Sequence, residues 1–313
     1  MDLRLLTEDI KKKCLEVGFS KSGIAPAKYH KNDKEILDTW IDNNYNGSMR
    51  WMEKNKDKRS NVLNYYSESK SVISVAINYF TGLSTENFEA PYISNYALGK
   101  DYHLIIKSKL KELLYKIREL DESINGYYCV DTSPIMEKTW AQRAGLGWIG
   151  KHTNLITREY GSWVFLGELI IDKELVYDSS FDTDLCGSCT LCIDYCPTDA
   201  IVEPYILDSN KCISYMTIEH RGQFSSDVIN LNNWIFGCDI CQEVCPWNIK
   251  FSQISNEEDF FDMNMIKEKN HEDWSSLTEE EFRDFFKDSP VKRTKYEGLK
   301  RNIETSISQK EIQ

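Results

Sequence analysis

Apolar residues recur along this chain with two different periods. In residues 101–120, Leu104, Ile105, Leu110, Leu113, Leu114 and Ile117 fall three or four apart. That spacing predicts a long helix with these side chains broadly on one face. Residues 7–17 carry a shorter version of the same pattern. The run SVISVAINY at 71–79 is instead β-branched and continuously apolar, which predicts a buried strand. Further strands are expected at 127–130, 154–157 and 163–171. After the 127–130 strand, Ser133 suits a helix N-cap, Pro134 the first helical position and Gly145 the stop. Strands alternating with helices predict a layered α/β (α+β) domain over residues 1–175.

Beyond residue 175 the pattern breaks. Residues 176–250 are expected to form a second domain, and they hold eight of the ten cysteines. Residues 251–313 are polar and charged, and read as a helical extension that packs on the core. Thr278 and Glu281 predict a capping box for a helix through Phe282, Phe285 and Phe286. A basic stretch follows, with Lys292, Arg293, Lys295, Lys300 and Arg301.

The chain has 38 Lys and Arg against 50 Asp and Glu, a formal charge of −12. This argues against general nucleic-acid binding, which needs a basic surface; contact with RNA would need a local basic patch. The longest apolar run, 163–171, includes Glu168 and is far too short to span a bilayer. The N-terminal residues have no apolar signal core. A cytoplasmic, reducing setting is therefore expected, where clustered cysteines are metal ligands more often than disulfides.

The first cysteine run is Cys186-x2-Cys189-x2-Cys192-x3-Cys196-Pro197. The second is Cys238-x2-Cys241-x3-Cys245-Pro246, with Cys212 standing alone before it. Two-residue gaps let three thiolates face one cubane. The cysteine before proline points away and serves the other cluster in two-cluster proteins. Two [4Fe–4S] clusters follow, one on Cys186, Cys189, Cys192 and Cys245, the other on Cys196, Cys212, Cys238 and Cys241. A pair of zinc sites is the alternative, since zinc also takes Cys-x2-Cys pairs, but a run closed by Cys-Pro and nearly repeated favours iron and sulfur. Cys14 and Cys129 lie in apolar segments and read as buried structural thiols.

Tandem clusters make a relay, and a relay needs an acceptor. Upstream, three segments look chemical: Asp131-Thr132-Ser133-Pro134, the glycine-rich Gly145–Lys151 loop with His152, and Gly99-Lys100-Asp101-Tyr102-His103. Each alone has a structural reading, as a cap, a turn or a hydrogen-bonded histidine. In order along the chain, however, the segments YALGKDYH (96–103), DTSP (131–134), AGLGWIGK (144–151), GSWVFLGE (161–168), the cysteine runs, CISY (212–215) and KRN (300–302) match a known set. The chain resembles the epoxyqueuosine reductases, cobalamin-dependent iron–sulfur enzymes of tRNA modification, from about residue 58 to residue 302.

The resemblance implies a nitroreductase-like cobalamin-binding domain followed by a ferredoxin-like domain. It implies two-electron removal of the epoxide oxygen of epoxyqueuosine in the tRNA anticodon, giving queuosine. Asp131 would be the proton donor. Arg59, Ser94, Asp101, Tyr102, His103, Trp148, Gly150 and Lys151 would surround cobalamin or the substrate. A low-potential electron donor of flavodoxin or ferredoxin type is implied, and a monomer is the expected state. Many family members continue past the Arg-Asn pair into helical repeats that grip tRNA. Here the ferredoxin-like domain and the basic 292–301 stretch are expected to hold it. The competing readings are a corrinoid reductive dehalogenase-like enzyme and a non-catalytic electron carrier of ferredoxin type.

Overall fold

A computed structural model of the chain describes residues 2–83, 85, 91–225, 228–261, 266 and 269–311. Its strands in chain order are β1 (Lys21–Pro26), β2 (Ser71–Asn78), β3 (Tyr92–Ile93), β4 (Gly126–Cys129), β5 (Trp148–Ile149), β6 (Leu155–Ile156), β7 (Val164–Ile171), β8 (Ile201–Glu203), β9 (Ile206–Leu207) and β10 (Trp234–Phe236). The main sheet has the order β1-β2-β7-β4, and every pair in it is antiparallel. The layered domain is thus of the α+β kind. Its centre is β2, in which all residues are buried, as a strand covered on both faces must be.

The two faces of the sheet follow from strand alternation. Ile73, Val75 and Ile77 of β2 join Leu169 and Ile171 of β7 in one core. Helices Leu3–Glu16 and Tyr102–Leu120 close it with Leu6, Ile10, Ile106, Leu110, Leu113 and Ile117. The register of the long helix differs slightly from the expected one. Leu104 is 54% exposed, and Ile106 takes the inward position. Gly167 makes this packing possible, because a Cβ there would stand 2.8 Å from Ile106 Cγ2. On the opposite face, Val72, Ala76 and Ile170 pack against Trp140 and Ala141 of helix Glu137–Arg143. Cys14 and Cys129 are fully buried, and burial pushes both thiols up to about 12.

Helix Glu137–Arg143 begins later than expected. Neither Ser133 nor Pro134 starts it: Met136 stands at the cap position, and its side chain makes no capping bond. The cause is Glu137, whose carboxylate reaches back to the Asp131 N–H and holds residues 131–136 as an irregular turn. Gly145 does provide the stop, with φ +79°.

The cysteine-rich segment does not stand apart from this domain. β10 runs parallel to β3, and Asp239 accepts hydrogen bonds from the Ser94 hydroxyl and the Asn95 N–H. Helix Glu279–Phe285 starts at the expected Thr278–Glu281 capping box. Phe282 and Phe286 then pack with Trp274, Leu299 and Ile303.

Arg301 and Asn302, on helix Lys295–Glu311, clamp the segments that carry Cys212 and Cys238. The Arg301 guanidinium donates to the carbonyls of Met216, His220 and Gly222, and lies 4.0 Å over the Phe224 ring. Asn302 Nδ2 donates to the carbonyls of Thr217 and Ile235. Arg301 is therefore a buried structural cation, and the expectation that it helps form an exposed basic patch is corrected.

Hydrogen bonds from charged groups each contribute about 1.5–3 kcal/mol. Arg301→Met is expected to lower the melting temperature clearly. Lys300→Met, one residue away on the surface, should leave it close to the wild-type value. Equal melting of the two variants would show that the clamp does not hold these segments.

Candidate active site and cluster cavities

Cys186, Cys189, Cys192 and Cys245 line one cavity of about 190 Å³. Cys196, Cys212, Cys238 and Cys241 line a second, of about 200 Å³. The partition is crossed: each run places its first thiols in one cavity and its Cys-Pro cysteine in the other. The local cause is a one-turn helix in each run, Leu191–Asp194 and Ile240–Glu243. After the second, Cys245 sits in extended conformation at the cap of helix Pro246–Phe251, turned towards the other cavity. Cys212 stands at the cap of helix Ile213–Ile218.

All these cysteines are free thiols. Among the described residues, no three His, Cys, Asp or Glu are close enough to hold a single metal ion. Zinc holds its sulfur ligands at ~2.3 Å, so four thiols spread around a void of this size suit a polynuclear core better. Burial pushes the Cys192 thiol up to about 11, and raises Cys238 and Cys241 well above the ordinary thiol value. The core that fills each cavity must displace those protons.

A third cavity, of about 800 Å³, opens beside the second. The three adjoin in sequence. His152 lies in the walls of both cysteine cavities, while Tyr96, Leu207, Cys212 and Ser214 are shared by the second cavity and the large one. The large volume falls near the upper end for small-molecule sites.

Asp131 enters this large cavity from the end of β4. Its backbone is left-handed, with φ +45°, a conformation that costs a non-glycine residue energy and persists only where neighbours hold it. The Glu137 carboxylate supplies the hold by accepting the Asp131 N–H at 2.5 Å. Asp131 Oδ2 lies 2.9 Å from His103 Nε2, and His103 Nδ1 lies 2.7 Å from Asp101 Oδ1. Lys292 Nζ approaches the other oxygen of Asp101 at 3.1 Å.

With a carboxylate at each ring nitrogen, His103 carries both protons. Burial opposes that charge, but Asp101 and Asp131 overcome it and raise His103 to about 9. Burial likewise opposes ionisation of Asp101, yet His103 and Lys292 hold it at about 2. Asp131 is also held below the usual carboxylate range: burial works against this, and the His103 bond and charge together with Arg293 prevail. In the open site the proton therefore rests on His103. Glu137 behaves oppositely, since burial and then the Asp131 charge raise it to about 8.

The other expected cofactor residues divide. Asp101, Tyr102 and His103 line the large cavity. Arg59 sits behind the Asp131 turn and donates to the Ile135 carbonyl at 3.1 Å. Ser94 lines the second cysteine cavity, tied to Asp239. Trp148, Gly150 and Lys151 are not at the large cavity. Trp148 packs against Trp247 and Phe181 beside the first cysteine cavity. Lys151 Nζ donates to the carbonyls of Gly187 and Cys189, pinning the first cysteine loop. Gly150 leaves room for its neighbours, because a Cβ there would stand 2.5 Å from Ile156 Cδ1. The sequence reading missed Glu137, since nothing in a six-residue spacing marks one acid as the brace of another.

Comparison with known proteins places these features. A family model described as "4Fe-4S double cluster binding domain" matches residues 185–248. A second, described as "Epoxyqueuosine reductase QueG, DUF1730", matches residues 59–132. An epoxyqueuosine reductase of Cellulophaga algicola is 44% identical over 297 residues, covering 94% of this chain and 96% of that protein. The Escherichia coli epoxyqueuosine reductase is 37% identical over 313 residues, 98% of this chain and 82% of its own length. A crystal structure of epoxyqueuosine reductase with an epoxyqueuosine-modified tRNA-Tyr stem loop superposes with a TM-score of 0.88 at 26% identity, covering 98% of this chain and 82% of that one. A catabolic reductive dehalogenase shares the fold at TM-score 0.50 and 15% identity, over 96% of this chain and 38% of its own.

The crossed arrangement makes a specific forecast. Cys245→Ser should deplete iron from the cavity of Cys186, Cys189 and Cys192 and leave the cavity of Cys196, Cys212, Cys238 and Cys241 better filled. Site-resolved iron occupancy in crystals of the variant measures this. Loss confined to the Cys238–Cys241 cavity would rule out the crossing.

Proposed function

The chain belongs to the epoxyqueuosine reductase family, and from that premise we propose how its residues carry out the reaction on tRNA. The reaction removes the epoxide oxygen of epoxyqueuosine to give queuosine. Leaving an alkene and water, it consumes two electrons and two protons. When bound, the two [4Fe–4S] clusters and cobalamin supply the electrons at the low potential this requires. The cysteines provide the two cluster cavities, and the large cavity takes the corrin together with the modified base. The fit rests on the shared wall at Cys212, which sets the large cavity against the second cysteine cavity. A soluble low-potential donor, of flavodoxin or ferredoxin type, would feed the first cysteine cavity.

The observation that carries the mechanism is the Asp101–His103–Asp131 chain at the large cavity. In the open, wet site its charged form prevails. When the base enters, water leaves and the low-dielectric interior penalises a charged pair. The proton then shifts from His103 to Asp131, leaving two neutral partners. Asp131 can now donate to the departing oxygen, while Asp101 keeps the ring oriented. Glu137 holds the Asp131 backbone in its left-handed turn, so the carboxyl stays aimed into the cavity. The dehalogenase reading shares only the fold and has no such support. A pure electron carrier would have no use for a braced acid beside a cavity of this size.

The direct test is incubation with epoxyqueuosine-containing tRNA, cobalamin and a strong reductant, followed by nucleoside mass analysis. Asp131→Asn should keep both clusters, cobalamin and tRNA binding, yet lose about 10²-fold or more in turnover. Near-normal turnover with a lower melting temperature would reduce Asp131 to a structural role. The pH profile gives the sign. His103 holds its proton below about 9, so turnover should fall as pH rises through that value. In His103→Gln that alkaline limb should vanish along with most of the activity.

RNA contact is narrower than the basic stretch suggested. Lys292 is engaged by Asp101 and Arg293 by Glu219, and Arg301 is buried. Lys295 and Lys300 are exposed and are the phosphate contacts we assign. Neutralising both should weaken tRNA binding and flatten its salt slope by about one per lost contact. An unchanged slope would return them to plain surface cations.

A further inference from the structure

His152 sits in the turn between β5 and β6, and the chain is closed around it. It is 3% exposed. The Gly150 N–H donates to the Asn154 carbonyl, and the Thr153 N–H to the Gly150 carbonyl. The Asn154 N–H donates to His152 Nδ1 at 3.1 Å. Because Nδ1 accepts, the single proton of the neutral ring is on Nε2. That Nε2 has no hydrogen-bond partner in the protein, and the ring lines both cysteine cavities.

A buried donor left unpaired is costly, so the partner of this one must come from what fills a cavity. On the two-cluster reading, the contents are rich in sulfide and thiolate, which accept hydrogen bonds. We propose that His152 is a neutral hydrogen-bond donor to cluster sulfur at the wall between the two cavities, and that it raises the reduction potential of the cluster it faces. A donor at sulfur withdraws negative charge and so favours the reduced, more negative state.

Three neighbours fix the geometry. Asn154 sets the tautomer. Gly150 makes room, since a Cβ there would stand 3.1 Å from His152 Cε1. Lys151 ties the adjoining backbone to the carbonyls of Gly187 and Cys189, so the ring cannot drift from the first cavity. Burial, and then the Lys138 charge, hold the ring down at about 4, so it acts as a fixed dipole. His152 touches neither substrate nor the reacting atoms; its effect is on how readily electrons pass.

The test is an anaerobic redox titration of the iron-loaded full chain, followed by electron paramagnetic resonance, with iron counted in each sample. In His152→Leu one of the two cluster signals should titrate at lower potential. Its oxidised-to-reduced ratio at fixed potential should rise at least tenfold, about 59 mV for a one-electron couple. His152→Gln, which keeps an N–H, should recover part of the shift. His152→Phe fills the space without a donor and should show the same fall as leucine. Unchanged potentials in whichever donor-free variant retains its iron would overturn the proposal and leave the two clusters standing. A wild-type chain that takes up no [4Fe–4S] cluster would overturn both.

Discussion

Cys245 reaches the cavity of the first cysteine run and Cys196 reaches that of the second, so neither run can complete a cavity alone. This crossing forces the two runs together and fixes the separation of the cavities they bound. It also decides where the rest of the chain must go. The β5–β6 turn wedges its histidine between the two voids. The β3–β10 pairing and Asp239 lock the second run to residues 92–95, ahead of the Tyr102–Leu120 helix. The large cavity then opens where Cys212 ends its own wall. A fold that moved either run by one turn would lose the continuous series of adjoining walls.

Around the large cavity the protein keeps opposite charges in contact. Lys292, Asp101, His103 and Asp131 alternate in sign along one hydrogen-bonded line. Within it, neighbouring charges favour the ionised forms of Asp101, His103 and Asp131. Such a line is sensitive to water. Exposed, it favours separated charge; enclosed, it favours neutral partners. On the mechanism proposed above, the same four residues hold a proton in one place at rest and offer it in another when the site fills. Glu137, which braces the Asp131 turn, stays out of this exchange because its own burial keeps it close to neutral.

Much of this was legible in the sequence, and the reason is local. Cysteine spacing encodes turns, so both cavities and their crossing could be read from the Cys-Pro positions. The Thr278–Glu281 capping box and the Gly145 stop are also short-range features and appear where expected. The failures are long-range. Ser133 and Pro134 carry good helix-start chemistry, but a carboxylate from the following turn captured the backbone first. Lys151 looked like a cofactor cation and instead anchors a loop 36 residues on. Arg301 looked like a surface charge, because no local pattern distinguishes a phosphate contact from a buried clamp. The protonation state of the Asp131–His103 pair was equally out of reach, since it depends on which charges the fold brings together.

The Arg301–Asn302 clamp also bears on how the molecule is made. Chains emerge from the ribosome from the N-terminus onward, and their parts fold as they appear. All eight cluster cysteines leave before the helix that carries the clamp. Until it arrives, the Met216, His220 and Gly222 carbonyls lack the Arg301 donor and the Thr217 and Ile235 carbonyls lack Asn302, and the Gly237 N–H bond to the Thr217 hydroxyl joins the two segments without them. The second cavity therefore passes through a stage in which its thiols are present and its frame is still slack. Docking of the last helix then adds the clamp and stiffens that frame.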